Sequence, residues 1–589
     1  MGNTLKKNPI RYAPLAIAVA VFALSFHMLA VSPQNPDGAE MIMAALQGGV
    51  LHPPGFPLQA WLNRALVDFP TANIAYNMSL FSLVCHSLTG YFLCSILLAM
   101  RLSVTQSLFG ALSYSLYPAT WYLGVQPEKY ALTLLLLAVF LWFLQKIYAQ
   151  RSRLFSYTLL GALFGLGLSQ HLLFLFVLPA TVCLFIRRQQ LSKLLAFLIP
   201  AVTLPMLFYS SLLLLSRTAS WPDWGKVQTL SDAFRHAMRA DFGFTEYASG
   251  STHNAVSFFA DDYSRSMTVG VGLLILGIIG IAKSRHSFNA AAYIGGFIMT
   301  LVFLTRCSTD WAELTAWTYL ERYTLFSAFF AAILIAHGTK LIQAKLHGRP
   351  LFLSNMLITT FVLSLAVNGY ERANASHDNV IDLYREGIGI SLSPDAYYVT
   401  NADLEGFYGI KSSTGYRFAL LDVDYDWYLK RGISATEPRE RLNSSNPLRT
   451  HEIIEKAYQA GFEIASTSPE LLKSMITTKS VAQQRGLLWV THRSIVTVVS
   501  RESATAASKI CEILTKARHP IPTQGHFFSR ILWANFRKSF FGALAYFERA
   551  GDEKKAKVVR DIIVALTDGT NPNEWIKSCE QFQHEMNDG

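Results

Sequence analysis

The first 370 residues are built from long apolar runs, and few folds are open to a chain of that kind. Hydrocarbon offers backbone N–H and C=O groups no water. A crossing segment must therefore pair them internally, as a helix or within a closed barrel. Runs of about 17 to 25 apolar residues suit helices. About eleven are present, near 12–31, 73–100, 106–125, 130–148, 154–169, 171–186, 194–215, 267–282, 290–305, 323–337 and 351–367. The fifth and sixth are short and meet at Ser169-Gln170-His171, which reads as a tight hairpin that need not span fully. Composition agrees, with 51% of residues apolar and only 15% charged, against about 25% charged in soluble domains. The expected fold is a mainly α, polytopic membrane protein of about eleven transmembrane helices.

Charge placement orients such a chain, because cytoplasmic loops collect Lys and Arg. Lys6, Lys7, Arg11, Arg101, Lys146, Arg151, Arg153, Arg187, Arg188, Lys193, Lys283, Arg285, Lys340, Lys345 and Arg349 fall on one side of the eleven runs. That side is expected to be the cytoplasm, with the N-terminus in it. The loops at 37–58, around Glu128 and at 216–266 then lie outside, as does everything after 368, in the periplasm of a bacterial inner membrane or in a lumen. The run Tyr12–Val31 exceeds a typical signal-peptide core and reads as an uncleaved anchor. Cytoplasmic anchoring also explains most of the net charge of +11. No basic patch with interleaved aromatics is evident, so the expected partners are membrane lipids and not nucleic acid.

After Asn368 the pattern changes. Tyr397-Tyr398-Val399-Thr400, Phe418 to Val423 and Leu488-Trp489-Val490 read as short strands. Helical stretches at 449–462 and 468–476 alternate with them. Phe540 to Ala565 reads as helix, and Ala543-x3-Phe547-Glu548-Arg549-Ala550-Gly551 resembles one hairpin of a helical repeat, although one repeat is not a solenoid. The expected division is a transmembrane domain at 1–367, an extracytoplasmic soluble α/β domain at 368–500 and a helical C-terminal region at 501–589. Cys85, Cys94 and Cys183 fall in apolar runs as small fillers, and Cys307 lies just past one. Cys511 and Cys579 are candidates for a disulfide if the tail is outside, but no zinc-type spacing exists. No glycine-rich nucleotide-binding loop is evident.

The segment behind the first apolar run carries the chemistry. Asp37-Gly38-Ala39-Glu40 is followed by His52-Pro53-Pro54-Gly55-Phe56-Pro57-Leu58. Ionised carboxylates are costly in hydrocarbon and mark sites or pathways. Asp37 and Glu40 are thus site candidates, and an alternative reading makes them an N-cap and capping box for a helix running to Gln47. Three prolines and a glycine cannot continue a helix. Their segment is a rigid turn that fixes His52 in place, and Gly55 permits close approach of a ligand or a neighbouring helix.

These two elements together resemble the transmembrane protein O-mannosyltransferases, a family of GT-C glycosyltransferases once known only as a domain of unknown function. Glu128-Lys129-Tyr130-Ala131-Leu132 is similar to that family's Glu-x-Tyr-x-Leu, and Gly165-Leu166-Gly167-Leu168-Ser169-Gln170-His171 to its Gly-Leu-x-x-Ser-x-His. Trp221-Pro222-Asp223-Trp224-Gly225 and Glu321-Arg322-Tyr323 add weaker matches, and the resemblance covers roughly residues 12 to 430. It implies a GT-C-type transmembrane domain, a lipid-linked sugar donor such as a polyprenyl-phosphate mannose, and a protein Ser/Thr or envelope glycan acceptor. It also implies that Asp37 is the catalytic base, because GT-C enzymes place an acidic residue in the first outer loop.

Residue chemistry distributes further roles, each beside a plainer alternative. Moving a sugar onto a hydroxyl needs a base for the proton and positive charge for the departing phosphate. Glu40 assists Asp37 or joins it in holding a divalent cation such as Mg or Mn. Arg322 matches phosphate geometry or is an interfacial anchor. His52 and His171 are substrate contacts or supports of a turn and a hairpin. Glu128 is a site residue or the cap of the following helix, and Tyr130 accompanies it in the motif. Trp224 is a sugar platform or part of an aromatic belt. The rival function is a transporter or flippase of lipid-linked envelope precursors, for which repeated halves with matching broken helices are expected and not found. The orientation makes a direct prediction: reporters fused after Asn368 are active only outside the cytoplasm. Fusions active only inside would invert the assignment, starting from the uncertain hairpin at 154–186.

Overall fold

The computed structural model describes residues 8–67, 69–71, 73–150, 153–218, 224, 227–239, 253–283, 287–309, 313–345, 350–374, 383, 386–387, 397–400, 417–420, 458–459, 463–466, 481–485, 487–492, 501–516, 527–568 and 572–587. They are mostly helical and divide into two compact units. The first comprises residues 1–31 and 44–376, and the second 32–43 and 377–589.

In the first unit the helices follow the apolar runs. They are α1 (Asn8–Ser25), α3 (Pro57–Ala65), α4 (Ile74–Ala99), α5 (Val104–Ser115), α6 (Pro118–Gly124), α7 (Tyr130–Ala149), α8 (Leu154–Gln170), α9 (Leu178–Arg188), α10 (Leu191–Ser210), α11 (Leu212–Thr218) and α12 (Leu230–Ala237). After them come α13 (Ala255–Lys283), a short α14 (Ser287–Asn289), α15 (Gly295–Leu304), α16 (Glu313–Lys345) and α17 (Pro350–Asn374). A helix α2 (Pro36–Gln47) begins in the second unit and ends in the first. Among the described residues, four stretches are long and apolar enough to cross a bilayer: Ile74–Ala99, Tyr130–Ala149, Leu191–Arg217 and Leu320–Ala344. Shorter apolar helices cover Tyr12–Met28, Leu154–Gln170, Leu172–Arg187, Val271–Ala282 and Ala292–Leu304. The protein is an integral membrane protein.

The run expected as one helix at 106–125 is broken in two. Pro118 has no N–H to give and disfavours helix at Tyr117 before it, so α5 stops at Ser115 and α6 restarts at Pro118. The expected hairpin at 154–186 is also articulated, with α8 ending at Gln170, a 3₁₀ turn at Leu172–Val177, and then α9.

Helix α16 is the hub. Its apolar stretch is 83% buried, against 22% for that of α10, whose Leu195, Ile199, Val202 and Met206 are exposed as expected of a lipid-facing surface. Against α16 lies α13, and the two backbones touch. A Cβ on Gly277 would lie 1.8 Å from the Leu334 carbonyl oxygen, and one on Gly338 would lie 1.9 Å from that of Leu273. No side chain larger than hydrogen fits either place, and this close approach is how membrane helices gain packing without a hydrophobic driving force.

The second unit holds a mixed five-stranded sheet. Strands β3 (Tyr397–Thr400), β4 (Arg417–Leu420), β5 (Ile464–Ser466), β6 (Val481–Arg485) and β7 (Leu488–His492) are ordered β4-β3-β5-β7-β6. β3 pairs in parallel with β4 and β5, while β7 pairs antiparallel with β5 and β6. β1 (His253–Asn254) and β2 (Ser308–Thr309) form a separate small pair in the first unit. Of the two helical stretches expected between strands, 468–476 lies outside the described residues and 449–462 is described as helix only at 458–459.

The C-terminal helices are α18 (Arg501–Leu514), α19 (Phe527–Ser539), α20 (Phe541–Ala550), α21 (Glu553–Asp568) and α22 (Pro572–Asn587). Gly551, at φ 71°, turns α20 into α21 and makes the hairpin read from the sequence. Trp533 of α19 and Trp575 of α22, with ring centroids 5.3 Å apart, and Phe547 of α20 and Phe582 of α22, 5.9 Å apart, pack these C-terminal helices together. Cys511 and Cys579 meet between α18 and α22, but as free, buried thiols joined by a hydrogen bond and not as a disulfide; burial pushes the Cys511 thiol well above its usual range.

The glycine contact generates a prediction. Gly338→Leu forces α13 and α16 apart and destabilises the first unit by about 1–3 kcal/mol or more. Thermal unfolding in detergent should show a lowered midpoint, whereas the same change at Gly272, where a Cβ meets nothing within 4 Å, should leave the midpoint unmoved.

Candidate functional site

The turn after α2 folds as its prolines demand. The Gly55 N–H donates to the His52 carbonyl at 2.8 Å, closing a tight turn, and the Pro53–Pro54 peptide is cis. Gly55 has φ +89° and Phe56 φ 41°, both left-handed. Phe56 is the N-cap residue of α3, with Pro57 at its first position, where a missing N–H costs nothing. α3 is then pinned by Trp61, whose indole N–H donates to Ser211 Oγ at 2.8 Å between α10 and α11.

Around Phe56 the structure gathers three of the candidates. The His52 ring packs edge-on to Phe56 at 5.2 Å, His171 lies 5.2 Å from Phe56 on another side, and Tyr130 is 5.5 Å from His171. His171 stands at the break between α8 and the following 3₁₀ turn. Its Nδ1 accepts from the Leu173 N–H at 3.1 Å, so the neutral ring carries its proton on Nε2. The residue supports the hairpin and also joins the cluster. Phe326 of α16 is 6.4 Å from His171, and Arg322 stands one turn earlier on the same helix, buried, beside buried Glu321.

Lys129 was not singled out in the sequence and is the most informative residue of the cluster. Its side chain is 1% exposed, and the ammonium lies 4.6 Å from the Phe56 ring centroid and 5.2 Å from that of Tyr130. A desolvated cation over aromatic faces gains about 2 kcal/mol. The available signal was a lysine in a motif on the side of the chain where the other basic residues are sparse. Glu128, also buried, accepts the Lys129 N–H on Oε2 at 3.2 Å, so its carboxylate does serve the start of α7.

A chain of amides holds this arrangement. Gln170 Nε2 donates to the Lys129 carbonyl at 3.0 Å and to Gln59 Oε1 at 2.8 Å, and Gln59 Nε2 donates to Asn63 Oδ1 at 2.7 Å. α3, α7 and α8 are thereby tied at one place. Gln59 and Gln170 were likewise missed, because an amide in a helix has no signature until its partner is known.

Trp224 is half-buried, and its backbone N–H donates to the Val50 carbonyl at 3.1 Å, beside the turn. Trp221 lies outside the described residues. His236 of α12, also missed, donates from Nε2 to the Leu51 carbonyl at 2.9 Å.

Asp37 and Glu40 are buried on α2, in its part within the second unit. The N-cap expected at Asp37 is instead Asn35, whose Oδ1 accepts the Gly38 N–H at 2.7 Å. Pro36 occupies the first helical position and moves the cap back one step. Asp37 therefore stands in the first turn, where the helix dipole favours its charge. Among the described residues, no three His, Cys, Asp or Glu side chains come together as a metal-binding group.

Comparison with known proteins falls on the same residues. The model of the protein O-mannosyl-transferase TMEM260 N-terminal domain matches residues 37–195, from Asp37 through the turn, Lys129 and His171. Protein O-mannosyl-transferase TMEM260 of Mus musculus is 27% identical over 466 residues, 71% of this chain and 63% of that protein. The Dictyostelium discoideum protein of the same name is 26% identical over 293 residues, covering 44% of this chain and 35% of its own length. The chain thus spans less than two thirds of the length of these relatives. Among solved structures, ArnT from Cupriavidus metallidurans bound to undecaprenyl phosphate superposes with a TM-score of 0.50 at 13% identity, covering 83% of this chain and 98% of that one. The fold is of the GT-C type. Within such a fold the chain is O-mannosyl-transferase-like, and the stretch matched by the TMEM260 N-terminal domain model includes the residues of the buried cluster.

Proposed function

We propose that this protein is a membrane glycosyltransferase that moves a sugar, with mannose the first to test, from a polyprenyl-phosphate donor to an acceptor hydroxyl on a protein Ser/Thr or an envelope glycan. The observation that carries the reading is that the segment similar to O-mannosyl-transferases, 37–195, folds to bring His52, Phe56, Lys129, Tyr130 and His171 into one buried cluster.

The chemistry needs three things. The acceptor hydroxyl oxygen attacks the anomeric carbon while a carboxylate takes its proton, and Asp37 is assigned that task with Glu40 assisting. The bond from the anomeric carbon to the phosphate oxygen breaks, leaving a polyprenyl phosphate whose charge must be held. Lys129 and Arg322 are assigned that hold, because preorganised cations in a water-poor site act far more strongly than in water. Orientation is the third need. The aromatic walls of Phe56 and Tyr130 and the Nε2–H of His171 offer a sugar ring apolar faces and a hydrogen-bond donor.

The lipid donor is supported by supply and by fold. Nucleotide sugars are made in the cytoplasm, whereas the charge asymmetry of the loops assigns these residues to the opposite face, and ArnT, of similar fold, is bound to undecaprenyl phosphate. The C-terminal unit is assigned to that same outer face.

Asp37→Asn keeps size and loses charge, so the protein should insert and fold normally while transfer falls by about 10² to 10⁴-fold; full activity in that variant removes Asp37 from the role. Purified protein in detergent should transfer mannose from synthetic polyprenyl-phosphate mannose and ignore a nucleotide-linked mannose. Efficient turnover with the nucleotide sugar alone, without any lipid carrier, refutes both the donor and the orientation that led to it.

A further inference from the structure

We infer that His236 is a positioning residue for the His52–Gly55 turn, acting as a latch brought from a distant part of the chain; the link to transfer rests on the proposed glycosyltransferase reading. The strand leading into the turn is clamped at two successive carbonyls. Val50 accepts the Trp224 N–H at 3.1 Å, and Leu51 accepts His236 Nε2–H at 2.9 Å. The His236 ring also closes over Gly55, where an added Cβ would lie 2.9 Å from His236 Cδ2, 3.1 Å from its Nε2 and 3.1 Å from Leu212 Cδ1. One imidazole therefore hydrogen-bonds the entry of the turn and fills the space beside its glycine. It is 1% exposed.

The latch is carried on its own built support. α12 has a complete capping box, in which the Asp232 N–H donates to Thr229 Oγ1 at 3.1 Å and the Thr229 N–H to Asp232 Oδ2 at 2.9 Å. Such reciprocal capping fixes a short helix whose eight residues would be marginal alone. What the latch holds is a strained residue. Phe56, next after Gly55, keeps a left-handed φ of 41°, a conformation that a non-glycine residue holds only when its surroundings over-determine it. Phe56 is also the ring under the Lys129 ammonium and against His52 and His171. Freeing the turn lets Phe56 relax and shifts the walls of the cluster, and a displacement near 1 Å can cost about 10²-fold in rate.

The test compares His236→Leu, which fills space but cannot donate, with His236→Gln, whose Nε2 reaches about as far as the imidazole nitrogen. Hydrogen–deuterium exchange of the full-length protein in detergent reads the latch without reference to activity. Backbone amides within 50–58 should exchange about tenfold faster or more in the Leu variant, with near wild-type protection restored by Gln. Steady-state transfer then reads positioning: kcat should fall about 10 to 100-fold in the Leu variant with little change in KM for the lipid donor, and Gln should recover most of it. Unchanged exchange over 50–58 in the Leu variant overturns the latch. Faster exchange with unchanged kcat overturns the positioning role. If the wild-type protein transfers no sugar, the glycosyltransferase reading fails on its own, and the exchange result still decides whether His236 holds the turn.

Discussion

Backbone pairing in hydrocarbon is the constraint from which the rest of this structure follows. A bilayer-spanning chain must bury its N–H and C=O groups in helix, and irregular backbone survives at membrane depth only where protein covers it. Three breaks among the described residues of the first unit show how this is done. Pro53–Gly55 is closed by its own turn bond and by the Trp224 and His236 donors, the His171 ring caps the start of the 3₁₀ turn that follows α8, and Ser211 between α10 and α11 receives the Trp61 indole. All three contribute directly to one cluster or to the helix that carries it. Places where a helix is forced to stop are the places where side chains of different helices can converge, so the site occurs where helical regularity is lost.

The cluster also shows how a lysine is kept away from water. Burying an ammonium is expensive unless something replaces its hydration, and the faces of Phe56 and Tyr130 meet it within 4.6 and 5.2 Å. Phe56 is set by the left-handed cap of α3, and Tyr130 stands at the start of α7. The amide chain from Asn63 through Gln59 and Gln170 to the Lys129 carbonyl fixes the backbone at the same point. The ammonium, the rings beside it and the backbone beneath it are thus held by contacts from three helices.

Much of this was legible in the sequence for definite physical reasons. Proline and glycine at 53–57 admit only a turn, and apolar runs of helical length admit little but helix. Burial was harder to read. Lys129 looked like a motif spacer because its environment comes from Phe56 on another helix, and His236 carried no local sign because its partner is the Leu51 carbonyl, 185 residues away. Asp37 was expected to cap α2, and Asn35 does so because a proline sits comfortably one place after the cap. Strands β5 and β6 escaped notice for their composition: Ile464-Ala465-Ser466 is too short to show alternation, and Val481-Ala482-Gln483-Gln484-Arg485 is too polar to resemble a half-buried strand. In each miss, tertiary contact supplied what local preference lacked.

The reciprocal glycines of α13 and α16 bear on how such a molecule can move. With Gly277 seated on the Leu334 carbonyl and Gly338 on that of Leu273, neither helix can slide along the other without driving a full side chain through a backbone. The pair is a single girder, and Arg322 is mounted on it about four turns from the second glycine. A motion within the first unit would leave this pair intact and carry Arg322 with it as part of one rigid piece.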